Sequence, residues 1–341
     1  MSTARMNYEA KLTRALSALG VFSKEKFKII DVGVSGGFGD CWNPFYPHIV
    51  AYGFDPLVKE IERLKQESSN PDYHFYDFFV TCRGLKEIDE EIKRKSNDPF
   101  GRTSAIAAIK LLNIDYAKKY YDATGEGKYT DKYITIDEFC EESSLADVDL
   151  IKIDTDGHDF MALKGAERSL HSCNVLGVLI EAQFHGIPHE DANTWANIDR
   201  FLRFKGFSLF DIEIHRYSRA ALPKRFVHKL PAQTYTGQVM WGDAIYFRDA
   251  MIDNYEDIWK VNLSLIKLLK LACLYEIFGL DDCTAELLIK YADRLKEIID
   301  VKACLNLITP NSRTNSGIVD PNAYSNYIKL FRQYVREYLG K

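Results

Sequence analysis

Three groups of residues in this 341-residue chain have the types and spacing to do chemistry. The first is Ile30-Asp31-Val32-Gly33-Val34-Ser35-Gly36-Gly37-Phe38-Gly39. Glycines directly after an apolar, β-branched run let the backbone turn tightly and approach a ligand that any Cβ would repel. The loop amides, with the N-terminus of whatever helix follows, suit a ligand carboxylate. Asp31, at the strand end, is placed to accept from an ammonium group. Gly33, Val34, Ser35, Gly36 and Gly37 are therefore candidate binding residues beside Asp31. A plain strand-turn is the alternative. Two nucleotide motifs fail on these letters. A dinucleotide loop has Gly-x-Gly-x-x-Gly, and Ser35 stands at the second glycine; a P-loop ends in Gly-Lys-Ser/Thr, and Gly39 is followed by Asp40 and Cys41.

The second group is Asp55-Pro56, then Asp77-Phe78. An acid about 20 residues beyond a glycine loop, at the end of the next strand, is placed to hold the hydroxyls of a ribose. A turn or cap role for Asp55 stays open. Asp77 and Phe78 close a third strand, where an adenine would lie, or Asp77 simply ends it. The third group is Asp154, Asp156, His158, Asp159, Glu181, His185 and His189. Strand-end carboxylates and nearby imidazoles are general acid–base material. Asp154, Asp156, Asp159 and Glu181 are alternatively a set of oxygen ligands for Mg²⁺, a reading not favoured because loop acids often cap helices, as Asp159 would. His185 and His189 also read as solvated loop residues.

These groups need a frame. Short apolar runs at 28–33, 48–55, 72–80, 148–154 and 175–181 read as strands, and 58–67, 160–170 and 194–205 as helices. That alternation implies an α/β fold with a parallel sheet and helices on both faces. Ligands of such sheets bind beyond the carboxyl ends of the strands. Two last strands, 207–215 and 244–248, lack a helix between them and read as an antiparallel edge. The segment 83–132 breaks the rhythm with helices at 85–95 and 104–121. It is expected to form an acceptor lid, with Arg102, Thr103 and Ser104 as polar contacts and Tyr116, Tyr120 and Tyr121 as stacking or packing residues. From 251 onward strands stop, and helices are expected at 255–278, 284–301 and 323–339, with a polar loop at 309–317. The domains are thus 1–25, an N-terminal helix; 26–250, the ligand-binding sheet; and 251–341, a helical appendage. Leu263, Ile266, Leu269 and Cys273 form a helical stripe that reads as core packing, and the appendage is also a candidate homodimer interface or membrane-surface contact.

A net charge of -5 gives no basis for a broad nucleic-acid footprint. No apolar run is long and uncharged enough to span a membrane. Seven scattered cysteines without a Cys-x-x-Cys pair argue against a disulfide framework and a structural zinc site. A cytoplasmic location is the default expectation.

The middle block carries a resemblance. Ile136-Asp137-Glu138-Phe139, then Val148-Asp149-Leu150-Ile151-Lys152-Ile153-Asp154, then Lys164-Gly165-Ala166 resemble the signature of FkbM-type methyltransferases. Asp31 to Gly37, Gly53-Phe54-Asp55-Pro56, Leu179-Ile180-Glu181 and Gly206-Phe207 fit it in order; Asp156 and Asp159 stand where Glu is common. The resemblance spans roughly 27–248. It implies a class I methyltransferase, Rossmann-like sheet, with S-adenosylmethionine on the first two groups. It also implies O-methylation of a hydroxyl on a small-molecule or glycan acceptor. Under that reading Asp154 serves the cofactor side, and Glu181, His158 or His185 is the base. A nicotinamide-dependent sugar oxidoreductase would need the dinucleotide loop; a non-catalytic binding module would keep the sheet and lose the cofactor.

Overall fold

The computed structural model describes residues 6–82, 129–155, 157–186, 188–217, 234–310, 312 and 318–340. Asp156, and the lid expected at 83–132 except its last four residues, lie outside them; so do Arg102, Thr103, Ser104 and the three lid tyrosines.

Among the described residues there are nine strands: β1 (Phe27–Val32), β2 (Ile49–Phe54), β3 (Tyr73–Tyr76), β4 (Phe79–Val80), β5 (Tyr133–Ile134), β6 (Leu150–Ile153), β7 (Gly177–Gln183), β8 (Phe207–Tyr217) and β9 (Gln238–Arg248). Seven form one sheet in the order β3-β2-β1-β6-β7-β9-β8. The ladders β2–β3, β1–β6 and β6–β7 are parallel, and β9 runs antiparallel to both β7 and β8. This is the α/β sheet with an antiparallel last strand that the sequence implied.

Side chains alternate between the faces of a strand. Ile30, Val32, Ile151, Ile153, Val178, Ile180, Ala182, Ala244 and Tyr246 share one buried core. Asp31, Lys152, Glu181 and Asp243 have the opposite parity and so occupy the other face. These four charged side chains thus lie on one side of the sheet.

Several expectations are corrected, among them the helix expected over 284–301, which is Asp281–Lys290 and Ala292–Leu295, with a separate helix beginning at Val301. The third strand stops at Tyr76, because Phe79–Val80 pairs instead with Tyr133–Ile134 in a separate two-stranded sheet. The helix expected over 160–170 is two, Asp159–Lys164 and Ser169–Ser172, broken at Gly165. A Cβ on Gly165 would stand 2.1 Å from the Thr81 carbonyl oxygen, so only glycine fits between the two helices. A helix not expected, Ile136–Glu142, begins with a capping box: the Thr135 hydroxyl accepts from the Glu138 amide while the Glu138 carboxylate accepts from the Thr135 amide.

The chain divides into two compact units. One comprises the described residues of Lys28–Phe38 and Val50–Asp249, the other those of Thr3–Phe27, Gly39–Ile49 and Ala250–Lys341. In the second, the helix Leu265–Ile277 is buried from Lys267 onward. Helices also cover Tyr255–Trp259, Asp281–Lys290, Ala292–Leu295, Val301–Ile308 and Ala323–Leu339. The expected 255–278 helix is interrupted where Lys260 adopts a left-handed conformation, φ +53°. The first helix, Lys11–Ala18, has no cap from its own N-cap residue. Glu276 supplies one, accepting from the Leu12 and Thr13 amides at 2.8 Å and the Thr13 hydroxyl at 2.7 Å. No helix among the described residues is long and apolar enough to cross a membrane.

Candidate active site

The chain leaves β1 toward β2 and β3 on one side and later returns to β6 on the other, so β1 and β6 flank the switch point where such sheets bind ligands. Gly33 sits there with φ +87°, and a Cβ on it would lie 1.8 Å from the Asp154 carbonyl oxygen. Only glycine lets the loop pass this close. Gly36 and Gly37 also have positive φ, and around Gly36 no atom lies within 4 Å of where a Cβ would be. The Gly36 amide donates to Glu60 Oε1 at 2.8 Å. Val34 is buried.

Asp55 is buried at the end of β2. Its Oδ1 accepts from the Leu57 amide at 2.8 Å, and the carboxylate also takes the Ser35 amide. It therefore makes a local turn and fastens the glycine loop to β2. Burial raises its pKa against those two donors. The Pro56 carbonyl accepts from Thr130 at 2.8 Å. Asp77 pairs with Lys132 at 2.7 Å, which lowers its pKa, and the same ammonium lies 5.8 Å from the Phe78 ring centroid.

The ammonium that Asp31 accepts from is the chain's own: Lys152 Nζ donates to Asp31 Oδ1 at 2.6 Å and stands 3.9 Å from Asp154. Burial pushes the Asp31 carboxyl up while Lys152 pulls it back. On Lys152 burial opposes the charge, but Asp31, Asp154 and Asp243 outweigh it and raise its pKa.

Asp159 opens its helix fully buried. Oδ1 accepts from the Thr155 amide and hydroxyl, at 2.8 and 3.0 Å; Oδ2 accepts from Gly157 at 3.1 Å and Asn193 at 3.0 Å. Thr155 and Gly157 thus donate three of its bonds and Asn193 the fourth. His158 Nε2 is 3.1 Å from the Thr81 hydroxyl, with its ring edge-on to Phe79. Glu181 is buried near the end of β7 in register with Asp243. His185 is half-buried in the loop that follows, and His189 Nδ1 accepts from the Asp191 amide at 3.1 Å.

The structure thus gathers Gly33, Ser35, Asp55 and Asp154 at one place, links Asp154 through Lys152 to Asp31, and sets Glu181 beside Asp243. Sequence reasoning missed Glu213, His215 and Asp243, which meet at the β8–β9 edge. The available signal was Glu213 and His215, two apart in an expected strand and so on one face. Asp243 fell one residue before the strand expected at 244–248.

Residues 48–209 match the family model of the methyltransferase FkbM domain. The chain is a methyltransferase carrying that domain. No curated protein is significantly similar to it. Among solved structures it is similar to magnesium protoporphyrin IX methyltransferase from Synechocystis PCC 6803, with bound SAH (9% identity, 71% of this chain and 83% of that one, TM-score 0.31). It is also similar to a TehB-like SAM-dependent methyltransferase from Corynebacterium glutamicum (13%, 70% and 95%, TM-score 0.29). A third is a putative O-methyltransferase from Nostoc punctiforme (12%, 70% and 56%, TM-score 0.27). Likenesses this distant carry no argument about the acceptor.

Proposed function

We propose that this methyltransferase uses S-adenosylmethionine and methylates a hydroxyl of a sugar, glycan or related small-molecule acceptor. One observation carries the cofactor reading: at the β1/β6 switch point the glycine loop is tied to the strand-end acid Asp55 through Ser35. The open backbone at Gly36 and the acid beside it fit a ligand with an amino-acid end and a ribose. When bound, the cofactor supplies an electrophilic methyl group. The protein's part is placement, which supplies much of the acceleration of an in-line displacement. The loop amides are spent within the chain, Gly33 and Val34 on the Phe54 carbonyl, Ser35 on Asp55, Gly36 on Glu60 and Gly37 on the Val34 carbonyl, so the loop from Gly33 to Gly37 serves the carboxylate end by close approach. Asp55 takes the ribose hydroxyls, and Asp77 with Phe78 the adenine. Asp154 serves the methionine end, with Asp31 holding Lys152 in place beside it. Glu181 takes the acceptor proton, and His158 and His185 are the alternatives. The Mg²⁺ alternative loses Asp159, whose two oxygens are spent on four donors.

Calorimetric titration with S-adenosylmethionine, S-adenosylhomocysteine and NAD tests this. Binding of NAD alone would refute it, and binding of none would leave a module without a cofactor. Asp55→Ala is expected to weaken S-adenosylmethionine by roughly ten- to a hundredfold, the worth of hydrogen bonds to a charged group. Glu181→Ala is expected to leave that affinity unchanged and cut turnover on a responsive saccharide acceptor by about 10²–10⁴. Unchanged turnover would move the base to one of the two histidines.

A further inference from the structure

Glu213, His215 and Asp243 have no part in the roles assigned above. Glu213 and Asp243 are partners in the β8–β9 ladder, and His215 follows Glu213 by two on the same strand face. One potential ligand atom from each lies within 4.8 Å of those of the other two. His215 and Asp243 are 7% and 5% exposed. The imidazole plane is fixed by stacking on Trp241, with ring centroids 3.8 Å apart.

The spacing within the cluster is informative. His215 Nε2 lies 3.4 Å from Asp243 Oδ2. A charge-assisted N–H···O contact runs about 2.7–2.9 Å, so this is long for a direct bond. Two ligands each about 2.1 Å from one ion in tetrahedral geometry stand roughly 3.4 Å apart. The pair therefore has the separation of neighbouring ligands on a common cation, and Glu213 supplies a third donor within reach.

We propose that Glu213, His215 and Asp243 form a binding site for one divalent cation. An imidazole with two carboxylates suits Zn²⁺ or Mn²⁺; Ca²⁺ and Mg²⁺ favour oxygen alone. The site is distinct from the Asp154 loop, being built by β8 and β9. It shares the sheet face of Lys152 and Glu181, since Asp243 has their parity and acts on the Lys152 charge. A cation there is placed to polarise an acceptor oxygen; that role rests on the methyl-transfer reading, and the binding does not.

The test uses the full chain, stripped with EDTA, returned to chelator-free buffer and titrated calorimetrically with ZnCl₂ and MnCl₂. One equivalent is expected to bind and raise the melting temperature. Glu213→Gln and Asp243→Asn are each expected to weaken it by roughly 100-fold or more, at least the loss seen for outer-shell changes. Asp154→Asn is expected to leave metal affinity unchanged. Glu213→Gln conserves size at a half-buried position, so it decides the matter should Asp243→Asn fail to fold. No saturable binding, or binding insensitive to Glu213→Gln, overturns the site; so does loss confined to Asp154→Asn. S-adenosylmethionine titrated into the same samples keeps the two readings apart, because either ligand can bind where the other fails.

Discussion

In the helical unit the buried carboxylate of Glu276 takes two of its three donors from the backbone of the first helix. In the sheet unit the buried carboxylate of Asp31 depends on the side chain of Lys152, 121 residues away. Asp159 belongs with Glu276, being held by amides of its own loop. The difference separates scaffolding from candidate chemistry. A carboxylate with three or four such donors is committed by the fold, whereas Asp55, with two amides, keeps acceptor capacity for a ligand. One balanced by a side-chain cation sits in a field that another cation or ammonium can enter. The charged face of the sheet, where Asp31, Lys152, Glu181 and Asp243 gather, is of the second kind.

The sharpest way to break this contrast is Lys152→Met. Asp31 is 2% exposed, and without Lys152 it must stay charged and unpaired or take up a proton, because burial already raises its pKa. Removing one partner of a buried pair costs about 3–5 kcal/mol, read as a lowered denaturation midpoint. Lys152→Met with Asp31→Asn is expected to recover much of that loss, because the stranded charge is gone. A single variant as stable as the parent would show that the pair is not what holds Asp31, and the contrast would fail.

The ease of reading this molecule from its letters follows the same division. Strand alternation, the glycine loop and Asp55 were legible because each is a local pattern with a local cause. So was the helix Ala323–Leu339, with its unbroken periodicity. The capping box is also present in the letters, as Thr135 followed three residues later by Glu138. What the letters did not disclose rests on contacts distant in sequence. Gly165 lies so close to the Thr81 carbonyl that no side chain fits there. Phe79–Val80 finds its partner more than fifty residues on. Asp243 joins Glu213 and His215 only through a register that no single strand encodes.

Glu276→Gln examines the other side of the contrast. The glutamine keeps one acceptor but turns an amide NH₂ toward a site now filled by the Thr13 amide and hydroxyl. The expected loss is about 1–3 kcal/mol, that of buried donors left unsatisfied, measured by the same denaturation. S-adenosylmethionine affinity of the folded variant is expected to match the parent. A large change in affinity at equal folded fraction would mean that Glu276 does more than cap the first helix.

The smallest expected effect comes from Asp77 and Lys132, where the pair is side chain to side chain but Lys132 is 53% exposed. The Lys132 hydrogen bond lowers the Asp77 pKa below its ordinary 3.8. Below that lowered value both folded and unfolded chains carry a protonated Asp77, so the pair contributes nothing. Above 3.8 both are ionised and its full contribution is present. Stability from this pair is therefore lost as pH falls from 3.8 through the folded-state value. Lys132→Met should abolish that slope and cost less than about 1 kcal/mol at neutral pH, given solvent screening. Denaturation of both proteins at pH 6 and pH 3 measures it, with the difference shrinking at the lower pH. At about 1 M salt, where the Debye length is near 3 Å, it should fade even at pH 6. A difference that survived both acid and salt would place Lys132 among groups held by packing and not by charge.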